Sequence, residues 1–194
     1  MKNKLLLCLC VFLLLFLTNC KKHSKNLFIQ EKGKSQTSLL YLLQQIDSLG
    51  IIGEYDPNIL NLYIEKTENF KTNYPEDPFT VEYLYKAGLV AMTLAKNAAD
   101  VEEKELSCKK AISLFDEIQL IYPEFVGIKN CLLNKGIIYY EILKDYENAE
   151  ILYREYIARY PADTINAGVD SYLQYLGKSP EDIIGEIEKI KVKK

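Results

Sequence analysis

The sequence has no tryptophan and only one histidine, His23, among its 194 residues. Because histidine is the side chain that most readily exchanges protons near neutral pH, its absence from the rest of the chain argues against acid–base or Ser-His-Asp catalysis there. The sequence also has no C-x-x-C or other metal-ligand spacing and no glycine-rich phosphate loop. It therefore predicts a non-enzymatic protein with no metal site and no cofactor.

The chain has no excess of positive charge, with 24 lysines and arginines against 27 acidic residues and a net charge of −3. Without its first nineteen residues it also lacks Lys2 and Lys4, which leaves 22 basic residues against 27 acidic ones. This balance is unlike the basic footprint of nucleic-acid-binding proteins. Apolar residues at 48% and charged residues at 26% indicate a globular protein, long enough for one domain.

Cysteine is sparse in the body of the chain, where only Cys108 and Cys131 occur. Both fall in predicted helices, where isolated cysteines usually act as small buried hydrophobic residues. An oxidising compartment would also permit a disulfide bond between them. The sequence leaves both alternatives open.

The first twenty residues have the organisation of a secretion signal. Lys2 and Lys4 precede an apolar run from Leu5 to Leu17, whose 13 residues are too few to span a bilayer as a helix. The run ends in Leu-Thr-Asn-Cys, which resembles a bacterial lipobox, although Asn19 stands where a small residue is usual. This resemblance implies a signal peptide over residues 1–19 and lipidation of Cys20, with an ordinary signal peptide or a short membrane anchor as the alternatives.

Residues 21–37, KKHSKNLFIQEKGKSQT, are polar and basic without a sustained period. Together with Cys20 they are predicted to form a flexible tether over residues 20–37. The tether is either a plain spacer or a segment that touches anionic lipid headgroups. Residues 38–194 then form the folded domain.

Helical spacing of apolar residues, interrupted by turn and cap residues, predicts eight helices and no strand in this domain. Asp56, Asp100 and Thr164 are predicted N-caps, and Ser179 caps a last helix whose apolar stripe includes Ile187 and Ile190. The predicted helices cover approximately residues 38–49, 57–73, 78–96, 101–122, 128–143, 146–160, 165–177 and 180–190.

An internal repeat organises these helices. The segment AISLFDEIQLIYP (111–123) matches AEILYREYIARYP (149–161) without a gap, and a third Tyr-Pro pair occurs at residues 74–75. Gly88 and Gly136 each follow the preceding Tyr-Pro proline by 13 residues. We expect these glycines, with Ala111 and Ala149, to let paired helices approach closely while an aromatic residue, Phe115 or Tyr153, fills the adjacent groove.

The two best repeats differ in length. Ten more residues separate Gly88 from Ala111 than separate Gly136 from Ala149, which predicts a longer hairpin with a charged tip around Glu102–Glu105. These acidic residues are predicted to form a solvated helix face.

The helix pairs resemble tetratricopeptide repeats (TPR). Residues 56–190 as a whole resemble TPR lipoproteins of Bacteroidetes-type bacteria. The segments that carry this second resemblance are YPEDPFTVEYLYKAG, KDYENAEILYREYIARYP and LGKSPEDIIGEIE. The TPR consensus has one residue fewer between Gly136 and Ala149, and a leucine where this chain has Lys135. A more distant similarity links the chain to the D-subunit of the outer-membrane β-barrel assembly machine and to the Tol-Pal coordinator. The resemblance implies an all-α, TPR-like antiparallel helix-hairpin solenoid of about three repeats with a capping C-terminal helix.

In this family the first helix of each repeat lines a concave binding face. Tyrosine and methionine side chains on such a face suit peptide binding. Alternatively, the neighbouring helices, especially the first or the seventh, cover the face. The positions implied by the resemblance are Glu82, Tyr85, Leu89, Met92, Thr93, Asn130, Leu133, Ile137, Tyr140 and Glu141.

The resemblance implies a non-catalytic scaffold or adaptor that binds an envelope protein or peptide, and no small-molecule substrate is expected. Two other hypotheses are a structural subunit of an outer-membrane assembly or peptidoglycan-linked complex, and an envelope hydrolase. In the Gram-negative lipoproteins that this leader resembles, an aspartate after the lipidated cysteine favours retention in the inner membrane, and here Lys21 follows Cys20, so the resemblance implies the outer membrane. Some Bacteroidetes-like lipoproteins carry an acidic patch there that directs them to the cell surface, so the basic residues at 21–23 favour the periplasmic side.

Overall fold

The computed structural model describes residues 2–179 and 181–185, with side chains described from residue 27 onward. Within those ranges the chain is entirely helical apart from its turns, which confirms the predicted all-α hairpin fold. A π-helical segment, Ile138–Leu143, continues α5, and residues 181–185 are helical. The α-helices are α1 (Lys2–Ile51), α2 (Pro57–Asn73), α3 (Thr80–Asn97), α4 (Val101–Ile121), α5 (Ile128–Ile137), α6 (Tyr146–Arg159) and α7 (Asn166–Tyr175).

The chain forms two compact units that divide between Asp77 and Pro78. In the first unit α1 and α2 pack as an antiparallel hairpin. Asp56 is the N-cap of α2, as predicted, and its carboxylate accepts a hydrogen bond from the Asn58 backbone N–H at 2.8 Å. Leu39 from α1 and Tyr63 from α2 are fully buried, so the hairpin has an apolar core of its own.

The segment predicted as a tether is helical and is part of α1. Two of its side chains contact the end of the first hairpin. The Phe28 ring packs edge-on against Tyr74, with centroids 5.1 Å apart, and Lys32 Nζ lies 2.8 Å from the Asp77 carboxylate. These contacts explain the difference from the prediction, because a polar sequence without a hydrophobic stripe can still be held as helix by a few tertiary contacts.

The second unit begins with the hairpin of α3 and α4. Asp100 caps α4 as predicted, accepting a hydrogen bond from the Glu103 backbone N–H at 2.8 Å. Gly88 is buried, and a Cβ built on it would lie 2.5 Å from Cε1 of Phe115. Ala111 is fully buried. The close approach of the helix backbone to an aromatic ring, expected from the repeat, is therefore present, and the hairpin is longer than the next, as expected.

The next hairpin repeats this packing. A Cβ on Gly136 would lie 2.5 Å from Cε1 of Tyr153, and both Tyr153 and Ala149 are fully buried. Asp145 caps α6 by accepting a hydrogen bond from the Asn148 backbone N–H at 3.1 Å. The same glycine–aromatic contact thus organises both hairpins of the second unit.

The π-helical segment lies between Gly136 and Ala149, where the sequence has one residue more than the TPR pattern that it resembles. A π-turn accommodates one more residue than an α-helical turn, so it can absorb a single insertion without rotating the flanking α-helices. The segment is followed by its C-cap residue Lys144, whose φ of 56° lies in the left-handed region. Asp145 N–H then donates to the Tyr139 carbonyl, at 2.9 Å.

Lys135 replaces a leucine of the TPR pattern, and the structure gives it a role between hairpins. Its Nζ lies 2.6 Å from the Asp116 carboxylate, so α5 is joined to α4 of the preceding hairpin. The Lys135 side chain is only 13% exposed. Its aliphatic stem is thus largely covered, while its ammonium group reaches the exposed Asp116 carboxylate.

The end of the chain follows the prediction only in part. Ile165 N–H bonds to the Asp163 carboxylate at 3.0 Å, so Asp163 rather than the predicted Thr164 stabilises the turn before α7. Ser179 and Asp182 form a capping box: Asp182 N–H donates to Ser179 Oγ at 3.1 Å, and Ser179 N–H donates to the Asp182 carboxylate at 3.4 Å. The predicted apolar positions 187 and 190 lie outside the described residues.

Candidate functional site

The ten positions of the predicted concave face lie on α3, on α5 and on the π-helical segment. Their accessibility differs widely. Glu82, Thr93 and Glu141 are exposed, whereas Met92 is only 7% exposed. The remaining six positions are half-buried: Tyr85, Leu89, Asn130, Leu133, Ile137 and Tyr140.

Met92 is part of the core rather than of an open face. It lies in the stretch Val90–Ala95, where five of the six side chains are buried. Helix α3 packs against α4 and also contacts the π-helical segment of the next hairpin. The Met92 side chain is buried and is therefore not accessible to a partner.

Tyr85 lies between the two hairpins of the second unit. Its ring centroid is 6.0 Å from that of Phe115 and 5.7 Å from that of Phe125, and its hydroxyl accepts a hydrogen bond from Asn134 Nδ2 at 3.4 Å. The ring thus connects α3 to the start of the following hairpin. Removing it would disturb packing between hairpins as well as any contact with a partner.

Tyr140 has a corresponding position in a cluster of tyrosines. Its ring centroid lies 5.8 Å from Tyr146, 6.4 Å from Tyr153 and 5.3 Å from Tyr172, the last of which belongs to α7. Desolvation by burial raises the pKa of the Tyr140 hydroxyl, followed by the influence of Tyr146. The alternative that the seventh helix covers this part of the face therefore fits the position of Tyr140.

The accessible part of the face is polar and links the two hairpins. Lys96 Nζ on α3 lies 3.1 Å from the carboxylate of Glu141 on the π-helical segment, and the two side chains are 49% and 39% exposed. Thr93 is one helical turn before Lys96 and is also exposed. We refer to Thr93, Lys96 and Glu141 as the A-helix patch.

Two clefts of about 510 Å³ open near the Tyr-Pro turns of the second unit, and the sequence analysis identified neither as a site. We call the first the apolar cleft and the second the polar cleft. The signal in the sequence is an apolar residue in one repeat and a charged residue at the matching position of the next, since Ile121-Tyr122-Pro123 corresponds to Arg159-Tyr160-Pro161. The apolar cleft is lined by Pro78, Val81, Glu82, Ile121, Tyr122, Pro123, Glu124, Phe125 and Val126; the polar cleft is lined by Lys129, Arg159, Tyr160, Pro161, Ala162, Asp163 and Thr164.

Cys108 and Cys131 are buried and free, so no disulfide bond joins them in this structure. Desolvation raises the pKa of the Cys108 thiol, and it raises the pKa of Cys131 to about 12. A thiol that stays protonated and inaccessible is a poor nucleophile. The structure therefore agrees with the interpretation of both residues as small buried hydrophobic side chains.

The described part of the chain has neither a metal-ligand cluster nor a helix that could span a membrane. No group of three or more histidine, cysteine, aspartate or glutamate residues there is arranged to hold a metal ion. No described helix combines the length and apolar character needed to cross a membrane. The predicted lipidation site, Cys20, lies outside the residues whose side chains the structure describes.

The arrangement in the second unit is therefore a pair of closely packed hairpins with a polar patch on their first helices and a cleft beside each of two Tyr-Pro turns. Comparison of the chain with protein-family models, with curated proteins and with solved structures found no match.

Proposed function

We propose that this protein is a non-catalytic, TPR-like scaffold that binds an envelope protein or peptide. The observation that carries the proposal is the packing of Gly88 on Phe115 and of Gly136 on Tyr153, repeated in consecutive hairpins. Stacked hairpins expose an extended surface that suits the binding of another protein or peptide. The A-helix patch crosses from one hairpin to the next and offers the accessible part of that surface.

The test should use the A-helix patch and leave Tyr85 and Tyr140 intact, because both tyrosines pack between helices. We expect the double variant Thr93→Arg/Glu141→Arg to lose a partner that the parent protein captures when proteins are cross-linked in the native cell and identified by mass spectrometry. Loss of the exposed Lys96–Glu141 ion pair should alter stability little.

The matched control is Ser113→Arg/Glu102→Arg on α4, which changes one exposed hydroxyl residue and one exposed glutamate in the same way. It should keep the partner. If the patch variant and the control capture the same proteins as the parent, the A-helix patch is not the binding surface.

We further propose that Cys20 carries the lipid that anchors the scaffold to the outer membrane, facing the periplasm. The sequence of the first twenty residues supports this proposal. Replacing Cys20 with alanine should move the protein from the membrane pellet to the soluble periplasm and abolish labelling by a fatty-acid analogue. Cys10→Ala, within the apolar run, is the control and should leave both unchanged. A labelled, pelleted Cys20→Ala protein would exclude the anchor.

A second candidate function is an obligate subunit of an envelope complex. It is favoured by large apolar side chains on the surface of the second unit, such as Leu120 and Val126, which are 82% and 86% exposed. Size-exclusion chromatography of the purified protein distinguishes the candidates. A stable monomer favours the scaffold, whereas aggregation that only the partner prevents favours the subunit.

A further inference from the structure

The apolar cleft lies where the start of α3 meets the turn that follows α4. Its walls are mainly apolar, and two of them are unusually accessible: Val126 is 86% exposed and Ile121 is 54% exposed. Phe125 forms another part of the wall, and its ring is held in place by Tyr85, 5.7 Å away between centroids. The cleft is thus an open apolar surface with at least one fixed wall.

The polar cleft provides an internal comparison, since it lies at the corresponding place in the next hairpin. There Lys129 Nζ bonds to the Asp163 carboxylate, whose side chain is only 7% exposed. Arg159 is engaged by Glu155 at 2.8 Å. The charged groups of the polar cleft are therefore largely satisfied by the chain itself.

The repeat alignment shows what distinguishes the two clefts. Val81 and Phe125 stand in the apolar cleft where Lys129 and Asp163 stand in the polar one. An ion pair within the chain has thus been replaced by two apolar side chains. The apolar cleft therefore has exposed apolar surface at the position where the polar cleft has the Lys129–Asp163 ion pair.

The two clefts also differ in their acidic residues. Glu82 and Glu124 both line it, both are exposed, and neither forms an ion pair within the described residues. The corresponding positions of the polar cleft are the uncharged residues Asn130 and Ala162. The apolar cleft therefore combines an apolar floor with two negative charges that the chain does not neutralise.

From this charge pattern we infer that the apolar cleft binds a segment of a partner protein in which an apolar side chain is flanked by lysine or arginine. The apolar side chain contacts Val81, Ile121 and Phe125, and the basic residues face Glu82 and Glu124. An acidic segment would meet two like charges, which disfavours it. The inference rests on the proposed scaffold function but concerns a surface separate from the A-helix patch.

A photo-cross-linking amino acid placed at position 126 tests the occupant directly in cells that produce the full chain. Val126 is exposed, so its replacement should not disturb the fold. The control carries the same amino acid at position 164, where Thr164 is exposed in the polar cleft. We expect position 126, and not position 164, to cross-link to a segment of another protein with an apolar residue next to a lysine or arginine.

The inference would be overturned by cross-links from position 126 only to acidic segments, by cross-links to a second copy of this chain, or by cross-links to residues 186–194 of the same chain. The last of these would assign the cleft to the protein's own lysine-rich C-terminal segment. If position 126 captures nothing while the A-helix patch captures a partner, the cleft inference fails and the scaffold function stands. If neither surface captures a protein, both fail.

Binding of a defined probe tests the charge requirement independently. The probe is a fluorescent peptide with the sequence Gly-Ser-Lys-Leu-Lys-Ser-Gly, and the comparison peptide has glutamate in place of both lysines. Fluorescence anisotropy with the full chain should detect the lysine peptide and not the glutamate peptide. The variant Glu82→Lys/Glu124→Lys should weaken binding of the lysine peptide by at least about tenfold.

The control for this variant is Glu102→Lys/Glu103→Lys, which makes the same charge change at the opposite end of the same hairpin and should leave binding unchanged. A variant that copies the polar cleft, Val81→Lys/Phe125→Asp, should abolish binding. Since Phe125 contacts Tyr85, Val126→Lys serves as a second variant at an exposed position. Equal binding of the lysine peptide by the parent and by Glu82→Lys/Glu124→Lys would refute the inference.

Discussion

The close contact between Gly136 and Tyr153 predicts that Gly136→Ala destabilises the protein, although alanine is normally the better helix former. In an open helix this substitution gains about 1 kcal/mol of stability. Here the new methyl group would lie 2.5 Å from Cε1 of Tyr153. Carbon atoms in favourable contact are about 3.5–4.0 Å apart, so the ring or the helix must move.

The ring cannot move without cost, because Tyr153 is fully buried and has neighbours on its faces. Tyr172 stacks on it with centroids 5.7 Å apart, and Tyr140 lies at 6.4 Å. Adding a methyl group to a closely packed core costs about 1–3 kcal/mol. Taking the upper part of that range and subtracting the helix propensity of alanine, we expect a net loss of about 1–2 kcal/mol.

Gly168→Ala is the matched control, because no side chain or other packing atom lies within 4 Å of a Cβ built on Gly168, which is also helical. That variant should gain up to about 1 kcal/mol. The two free energies of unfolding can be compared by urea denaturation of the full chain, followed by circular dichroism at 222 nm. Combining Gly136→Ala with Tyr153→Leu should relieve the clash and give a smaller loss than the sum of the two single changes. A Gly136→Ala protein as stable as the parent would refute the packing argument.

Three further predictions follow from single residues. Lys144→Gly should raise the free energy of unfolding by up to about 1 kcal/mol, measured in urea, because Lys144 has a φ of 56° that glycine adopts without steric cost. Cys108 and Cys131 should not react with a thiol reagent at pH 8 until the protein is unfolded, when both should react; a missing pair of thiols under denaturing, non-reducing conditions would instead indicate a disulfide bond. Stability should depend on pH at both ends of the scale. At the acid end, the hydrogen bond from Lys129 is the main cause of the lowered pKa of Asp163. The contribution of the Asp163 carboxylate to the free energy of unfolding is therefore complete above about pH 3.8 and is lost as the pH falls through the folded-state pKa. In urea denaturation, Asp163→Asn should lose less stability in acid than the parent protein does. At the alkaline end, burial raises the pKa of the Cys131 thiol from 9.0 to about 12. The contribution of the protonated thiol to the free energy of unfolding is therefore complete below pH 9 and is lost between pH 9 and 12. The free energy of unfolding of Cys131→Ala should decline less steeply over that interval.

Local signals in the sequence were sufficient for some of the helix starts and for the contacts within each hairpin. Asp56 and Asp100 cap helices with their carboxylates, as predicted, whereas the predicted cap Thr164 does not. The reason is that an N-cap depends on residues within one turn of one another. The glycine–aromatic contacts were predictable from a different signal, since the same spacing occurs in two consecutive repeats.

The neighbours of the predicted face could not be predicted in the same way. Helical spacing places Tyr85 and Tyr140 on a face, but it does not show what covers them. Their contacts Phe125 and Tyr172 come from the turn after α4 and from α7, which are distant in sequence. The length of the first helix was missed for a related reason, because the contacts of Phe28 and Lys32 are with residues more than forty positions away.

The two repeats of the second unit show how a helical array can change its length and its surface while keeping its core. A single inserted residue in an α-helix rotates everything beyond it by about 100°, which would turn a buried stripe toward solvent. The π-helical segment between Gly136 and Ala149 offsets such a rotation, and both residues are buried although one residue more separates them than in the TPR pattern that the sequence resembles. The clefts, in contrast, lie at the ends of the hairpins, where one repeat has Phe125 and the next has Asp163 at the matching position while both keep the glycine–aromatic contact. Constraint on the core and freedom at the turns are therefore compatible in one chain, and differences between repeats at the turns are the positions where a repeat-specific partner is most readily accommodated.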